Sequence, residues 1–257
     1  MARSIISDIK RDHIQKLIAK GKRVDGRNWD EFREISIETN FADNAEGSAR
    51  VRMGNTDVLV GLKMDMGSPF SDTPDRGVLT TSAELIPLAS PSFEPGPPDE
   101  NAIELARVVD RGIRESGMID VEALCVTPGE EVWICFLDIY VLDYDGNLFD
   151  ACSLGSVAAI KSAMVPASRH DKGEDYPLPT TCTPISCTAV QIENSILFDP
   201  TLDEEKIAAA RLTVTTDENG DLRAMQKGLD GSLTRDQINT IVETAQKLGQ
   251  DLRKHIG

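Results

Sequence analysis

The chain has 257 residues, 40% of them hydrophobic, which fits one large or two modest domains with buried cores. Its formal net charge is −16, and an acidic excess of this size excludes broad, sequence-independent nucleic-acid binding, which needs a positive field over much of the surface. Any contact with RNA or DNA must therefore be local, or be completed by a partner chain.

The first patterned segment is a short amphipathic helix predicted over residues 4–20 and ended by Gly21. Ile9, Leu17 and Ile18 lie among its apolar positions. Alternating apolar and polar residues then predict the opening strands of a sheet, at 34–40, 49–53, 57–64 and 79–88. The loop 89–99 carries four prolines and is expected to be exposed and mobile.

A basic stripe lies on the helix predicted after this loop. Pro97 and Pro98 prevent the helix from extending backwards, and Asp99 or Asn101 is the expected cap. Three arginines are spaced i, i+4 and i+7 and therefore share one face: Arg107, Arg111 and Arg114. Apolar residues recur on another face and predict a docked helix: Ile103, Ala106, Val109 and Ile113.

Two interpretations of the stripe compete. Glu104 precedes Arg107 by three residues, and Asp110 lies within one turn of both Arg107 and Arg114, so all three arginines can be neutralised inside the helix. Charge runs on helices are usually solvated, salt-bridged surfaces, and the pattern alone favours that interpretation. The alternative is a local site for an anionic partner.

The second half of the chain repeats the order of strands followed by helices. A buried strand is predicted over 131–144, with a turn at Asp145-Gly146 and a helix over 151–164. Further elements are a strand at 185–198, a helix at 203–210, two strands meeting at Asn219-Gly220, and a helix with a capping box that begins at 234. The predicted organisation is an N-terminal helical extension (1–29), a first domain (30–168), a linker (169–184) and a second domain (185–257). Both domains are predicted to be α+β units.

The cysteines and the N-terminus indicate the compartment. The chain has five cysteines without a close C-x-x-C pair, which predicts reduced core thiols rather than zinc ligands or disulfides. Charged residues stand where a signal peptide needs an apolar run, and no stretch reaches the length of a membrane span. We therefore expect a cytoplasmic protein without a membrane partner.

Most motifs of catalysis and metal binding fail on inspection. The segment 143–150 resembles a calcium loop but has Leu148 where glycine is required and Leu154 where the closing glutamate is required. The three histidines are scattered, and no phosphate-binding glycine loop is present. One dense group of carboxylates remains, for which a structural role is favoured over a metal site: Asp199, Asp203, Glu204 and Glu205. The sequence predicts neither a metal nor a cofactor.

Several segments together resemble the RNase PH family, over nearly the whole chain. The shorter ones are R-V-D-G-R at 23–27, A-E-G-S-A at 45–49, G-N-T-D-V at 54–58 and P-F-S-D-T-P at 69–74. Two longer and more specific segments, 101–114 and 137–147, are similar to those of the non-catalytic ring subunits of archaeal RNA exosomes.

The resemblance implies an RNase PH-like α+β fold of two units, the first like domain 2 of ribosomal protein S5, within a hexameric ring. It implies a catalytic RNase PH-like partner, with three such heterodimers per ring and RNA-binding cap proteins of the S1/KH type on one face. Such a complex degrades single-stranded RNA from its 3′ end by phosphorolysis, with phosphate as the attacking group.

Compared with the catalytic members of that family, this chain departs at three places. Glu100 and Asn101 stand where paired arginines engage RNA and phosphate, and carboxylate or amide groups hold an anion poorly. Leu148 lies in the turn that binds phosphate in the catalytic members, and of that motif this chain retains only the glycine. Arg211 stands at the position of a catalytic aspartate, and arginine cannot act as a general acid near neutral pH.

These departures imply that no residue of this chain is catalytic, while Arg107 and Arg111, with Arg114 less closely matched, correspond to arginines that contact the RNA backbone. The leading hypothesis is a non-catalytic subunit that contacts RNA beside its partner's active site. The alternatives are a stand-alone phosphorolytic exoribonuclease and a scaffold whose stripe is only a salt-bridged surface.

Overall fold

The computed structural model describes residues 8–256. The helices are α1 (Asp8–Ile18), α2 (Glu100–Ser116), α3 (Leu148–Ser162), α4 (Leu202–Ile207) and α5 (Arg235–Arg253). The strands are β1 (Ile35–Thr39), β2 (Gly47–Met53), β3 (Thr56–Gly67), β4 (Val78–Leu85), β5 (Cys125–Thr127), β6 (Glu131–Asp143), β7 (Met164–Val165), β8 (Tyr176–Pro177), β9 (Ile185–Ile192), β10 (Ser195–Phe198), β11 (Ala210–Thr216) and β12 (Leu222–Gly228). Sheets and helices form the α+β arrangement that the sequence predicts.

The first sheet determines where α2 lies. Its strand order is β1-β2-β3-β6-β4, with β5 paired to β6 beside this path. Neighbouring strands are antiparallel except β4 and β6, which are parallel. A parallel pair needs a crossover connection, and α2 lies in the connection from β4 to β6 and packs against β4. This topology fixes the helix that carries the arginine stripe to the sheet.

The second sheet is antiparallel throughout, with the order β10-β9-β11-β12. Helix α5 packs on β9 and β11. Helix α1 packs elsewhere on this sheet, where Ile14 and Ile18 are buried in a cluster with Val190, Ile192 and Leu197. The N-terminal helix therefore belongs in space to the second half of the chain.

Helix α3 lies between the two sheets. Its residues are buried from Leu148 to Ile160, and it contacts β2 and β3 on one side and β9 on the other. Small residues let α3 pack closely against the first sheet, as at Gly155, where an added Cβ would lie 2.8 Å from a methyl of Val60. The main hydrophobic core therefore runs through both units, and the cluster around α1 is separate from it.

The predicted strand over 185–198 is wrong, because β9 and β10 form a hairpin there. Ile192 pairs with Ser195, so Glu193 and Asn194 make the turn. Glu193 has a φ of 53°, the left-handed conformation that such turns require and that glycine usually provides. Because no glycine or proline marks this turn, the pattern gave no sign of it.

Two apolar positions were predicted on the wrong face. Ile9 is 83% exposed, and the residues that anchor α1 are Ile14 and Ile18. Ile103 of α2 is 50% exposed, whereas Ala106, Val109 and Ile113 are buried as expected. The predicted beginning of α1, at residues 4–7, lies outside the described residues.

The segment proposed as a linker, 169–184, is ordered against its neighbours. A 3-10 turn at Ala167–His170 leads into it, β7 pairs with β8, and Thr180 bridges to Ile119. Leu178 is buried. A linker with these contacts holds the two units together, and the domain boundaries themselves stay a prediction.

The five cysteines are free thiols. Three are buried, and Cys125 and Cys182 are only half-buried, so the expectation of core thiols fails for these two. Within residues 8–256, no helix has both the length and the apolar character needed to cross a bilayer.

Candidate nucleic-acid interface

Helix α2 is firmly bounded at both ends. The carboxylate of Asp99 accepts a hydrogen bond from the backbone N–H of Ala102 at 2.8 Å, which makes Asp99 the cap rather than Asn101. Gly117, with a φ of 69°, ends the helix in the left-handed conformation. Leu105 and Val109 bury the opposite face in the core. The outward face is therefore presented on a fixed support.

Arg107 and Arg111 project from that face and are exposed. Within residues 8–256, neither side chain has an ion-pair or hydrogen-bond partner. Arginines spaced by four residues on a rigid helix form two adjacent donors of charge-assisted hydrogen bonds. This pair, which we call the arginine pair, is suited to two successive groups of an anionic chain.

Arg114 is held differently. Its Nη2 lies 2.9 Å from Oδ1 of Asp110 and also donates to the backbone oxygen of Leu79 at 3.0 Å. Asp110 additionally accepts a hydrogen bond from the hydroxyl of Thr81 at 3.1 Å. The salt-bridged interpretation therefore applies to Arg114 and does not apply to the arginine pair.

Glu104, the other carboxylate of the helix near the stripe, also turns away from it. It forms a short ion pair with Arg211 of β11, on the second sheet. Of the two carboxylates that the sequence offered as internal neutralising groups, Glu104 binds the second sheet and Asp110 binds Arg114 of the same helix. Neither neutralises Arg107.

A cleft of about 1740 Å³ lies beside the N-terminal end of α2, between the first sheet and the second. Three of the positions at which the resemblance implies a departure from catalytic family members line it together: Asn101, Leu148 and Arg211. Glu100, the first residue of α2, is exposed. Positions that are far apart in the sequence thus meet at one place in the fold.

Arg211 is immobilised in the wall of this cleft. Its side chain is 5% exposed, and its guanidinium carbon lies 4.1 Å from the centroid of the Phe149 ring. A Cβ at Gly228 would lie 2.5 Å from Nη2, so the guanidinium needs the space that glycine leaves. Paired with Glu104 and stacked on an aromatic ring, Arg211 serves as a structural cation and not as a proton donor.

Two further ionisable groups in the wall of the cleft, Tyr144 and Glu205, bind each other. The hydroxyl of Tyr144 donates to Glu205 at 2.7 Å, and the backbone N–H of Asn147 donates to the other carboxylate oxygen at 2.9 Å. Burial raises the pKa of Glu205, against the lowering effect of these hydrogen bonds, and raises the pKa of Tyr144 well above its usual value. Phe93 stacks on Tyr144 with 5.4 Å between ring centroids.

The acidic residues that lie close together in the sequence at 199–205 bind separate partners in the structure. Asp199 pairs with Arg27 and Arg33, each at 2.7 Å, and Glu204 pairs with Arg23 at 2.6 Å. Burial acts to raise the pKa of Asp199, but the hydrogen bonds and charge of Arg33 outweigh it and lower the pKa. Asp203 pairs with Lys10 at 2.6 Å.

These pairings support the structural interpretation of the acidic group. In residues 8–256, no cluster of histidine, cysteine or carboxylate side chains has the arrangement of a metal site. Sequence reasoning missed that the basic segment 23–27 is the partner of the acidic group. The opposite charges of segments 23–27 and 199–205 were the sequence feature that could have predicted this pairing.

A second feature that sequence reasoning missed is a buried network of hydrogen bonds between the two units. Asp150, in the first turn of α3, accepts hydrogen bonds from the backbone N–H and the hydroxyl of Thr188 at 2.9 and 2.7 Å. Asn147 donates to it at 2.9 Å and also to Asp199. Burial raises the pKa of Asp150 to about 7, although the hydrogen bonds from Thr188 and Asn147 act to lower it.

Comparison with known proteins gives matches over the whole fold. Family models of the 3′ exoribonuclease family match residues 31–166 as domain 1 and residues 182–247 as domain 2. A relative from Methanocella arvoryzae, named exosome complex component Rrp42, is 53% identical and covers 100% of this chain and 98% of its own.

Two solved structures superpose closely. One is the Archaeoglobus fulgidus exosome with RNA bound to the active site; it has a TM-score of 0.95 and 48% identity, covering 97% of this chain and 98% of the other. An archaeal exosome core has a TM-score of 0.90 and 44% identity, covering 97% and 96%. The expected two-domain RNase PH-like fold is confirmed. The chain therefore belongs to the 3′ exoribonuclease, or RNase PH, family.

Proposed function

We propose that this chain is a non-catalytic, RNA-contacting component of an exosome complex that degrades RNA from the 3′ end by phosphorolysis. The observation that carries the proposal is the contrast on and around α2. Arg107 and Arg111 are exposed and unpaired within residues 8–256, whereas Arg211 and Glu205 in the cleft are held by their own partners. The names of the relatives, and the RNA bound in one of the superposed exosomes, agree with such a role.

In the proposed complex, the arginine pair binds the sugar-phosphate backbone near the active site of a catalytic RNase PH-like partner. Guanidinium groups contact phosphate oxygens through charge-assisted hydrogen bonds and position the strand without distinguishing its bases. The acidic net charge of −16 confines RNA binding to this local patch. The remaining surface is available for protein contacts.

The arginine in the cleft is not available for phosphorolysis. Arg211 is neutralised by Glu104 and buried against Phe149, so it does not offer a free cation to an attacking phosphate. Leu148, whose side chain is apolar and buried, stands in the turn where the family's catalytic members bind phosphate. We therefore assign chemistry to the partner subunit and RNA positioning to this chain.

The same proposal includes the assembly. Three heterodimers with the catalytic partner form a hexameric ring, cap proteins of the S1/KH type bind one face, and the complex works in the cytoplasm. Free cysteines fit a reducing compartment.

The test compares the chain alone with the assembled complex. Each is incubated with single-stranded RNA and inorganic phosphate, and release of nucleoside diphosphates is measured. We expect no release by the purified chain and processive release when the catalytic RNase PH-like partner is added. Robust release by the chain alone would show it to be a stand-alone exoribonuclease and would overturn the proposal.

A further inference from the structure

Glu104 occupies the position on α2 from which it would most readily neutralise the arginine pair. It precedes Arg107 by three residues, the spacing at which opposite charges on a helix pair with each other. Its side chain is 32% exposed, so it lies at the edge of the solvent into which Arg107 projects. In the structure it instead contacts Arg211 of β11.

Arg211 is fixed strongly enough to hold Glu104 in that direction. The Phe149 ring lies under its guanidinium group at 4.1 Å, and the side chain is 5% exposed. The missing side chain at Gly228 provides the space for the guanidinium. Since Arg211 cannot follow Glu104 towards solvent, the ion pair keeps the carboxylate on the cleft side of the helix.

The carboxylate on the other side of the stripe, Asp110, is also bound to other groups. Asp110 follows Arg107 by three residues and is held by Arg114 and the hydroxyl of Thr81. Both carboxylates within reach of Arg107 are therefore bound to other groups. The free state of Arg107 is a consequence of the contacts that these two carboxylates make with other groups.

We infer that Arg211 is a positioning residue for RNA binding: by holding Glu104 it keeps Arg107 available to a phosphate group of single-stranded RNA. The inference rests on the proposed function and deepens it. Arg211 does not touch the RNA. It acts through Glu104, across the boundary between the second sheet and α2.

The experiment uses the assembled complex with three variants of this chain: Arg211→Met, Glu104→Gln and the two combined. Methionine keeps an unbranched, apolar stem against Phe149 and removes the charge. Affinity for single-stranded RNA and its dependence on salt concentration are measured for each. Arg211→Gln, which keeps a polar head group at the buried position, is made in parallel in case the methionine variant does not assemble.

We expect Arg211→Met to lower RNA affinity by about two- to fivefold, the effect of one ion pair near the surface. Loss of one phosphate contact also lowers the slope of log affinity against log salt by about 0.7 for a single strand. Glu104→Gln combined with Arg211→Met restores both the affinity and the slope, because position 104 then carries no carboxylate that could pair with Arg107.

Rescue by the second substitution distinguishes positioning from a structural role. If Arg211→Met acted by disturbing the packing, removal of the Glu104 carboxylate would not restore RNA affinity. A loss that Glu104→Gln does not restore, a failure of both Arg211 variants to assemble, or an unchanged affinity and slope in Arg211→Met would each overturn the inference. The proposed function fails separately, if Arg107→Glu with Arg111→Glu leaves RNA binding unchanged.

Discussion

On the outward face of α2, Arg107 and Arg111 have no partner within residues 8–256, whereas in the cleft beside the same helix Arg211 and Glu205 are each paired. Through these contacts Arg211 and Glu205 stabilise the packing of the cleft wall. The two arginines of the helix face are free to meet an anion.

The difference shows that burial and pairing, rather than the presence of charged residues, decide which region can bind RNA. An arginine already stacked on Phe149 and paired with Glu104 has little to gain from a phosphate, because its ion pair would have to break first. An exposed, unpaired arginine gives up only its hydration. Two comparisons of variants test this distinction, and a third tests the packing beneath the cleft.

The largest expected effect comes from reversing the arginine pair. Arg107→Glu with Arg111→Glu replaces two phosphate donors by two carboxylates, and we expect the affinity of the assembled complex for single-stranded RNA to fall about 100-fold. RNA degradation falls with it, while assembly is unchanged because both side chains are exposed. Binding and nucleoside diphosphate release are measured on the same preparation.

The matched control makes the same change of net charge elsewhere. Arg235→Glu with Lys247→Glu reverses two exposed cations of α5 and is expected to change RNA affinity by less than about threefold. If both double variants lose the same affinity, long-range charge rather than direct contact explains the effect, and the contrast between the two regions would not hold.

A smaller effect is expected beneath the cleft, at Asp150. Its folded pKa of about 7 lies above the ordinary value of 3.8, so the native state binds the proton more tightly than the unfolded chain. The stability from this group is full below about pH 4 and is lost as the pH rises to about 7. The variant Asp150→Asn places an amide there, which keeps a hydrogen-bonding group of the same shape without ionising.

We expect the free energy of unfolding to fall by about 2 kcal/mol more in the unmodified chain than in Asp150→Asn between pH 5 and pH 7. Urea unfolding at a series of pH values measures the difference. Asp72→Asn, at an exposed position, serves as the control and should follow the unmodified chain. Parallel pH profiles for the chain and Asp150→Asn would refute the role assigned to this buried carboxyl group.

The smallest effect is expected at Arg114. Because Asp110 and the backbone oxygen of Leu79 already bind it, Arg114→Ala made together with Asp110→Asn, which leaves no freed carboxylate beside Arg107, should weaken RNA binding by about twofold or less. Arg107→Ala, made for comparison, should weaken it by about tenfold. Equal losses in the two variants would mean that Arg114 leaves Asp110 when RNA binds, and the distinction drawn within the stripe would be wrong.

The sequence predicted the stripe because helical periodicity is a local property, and Arg107, Arg111 and Arg114 indeed share the outward face of α2. It could not separate the free arginines from the paired one. That distinction depends on Arg211, which is 107 residues from Glu104 in the chain, and no spacing rule connects residues so far apart. The RNA-binding role of these residues stays a prediction.

The elements of the fold were likewise predicted where a local pattern was clear and missed where it was not. Alternation and capping patterns located most elements, and α5 begins after the capping residue Thr234 as expected. The hairpin at Glu193 was missed because its left-handed residue is not a glycine. Ile9 and Ile103 were misplaced because apolar character was taken for burial: Ile103 precedes Arg107 by four residues and shares its outward face, and Ile9 lies on the side of α1 opposite Ile14 and Ile18. The resemblance located three departures, and only the structure showed the contacts that neutralise Arg211.

The most direct test places a photoreactive side chain at one position of each region in the assembled complex, and maps which one crosslinks to the 3′-terminal nucleotides of bound RNA. The positions are Arg111 on the helix face and Tyr144 in the cleft, each in a separate variant. We predict a crosslink from position 111 and none from position 144. A crosslink from position 144 alone would contradict the assignment, because RNA would then occupy the cleft and not the arginine pair.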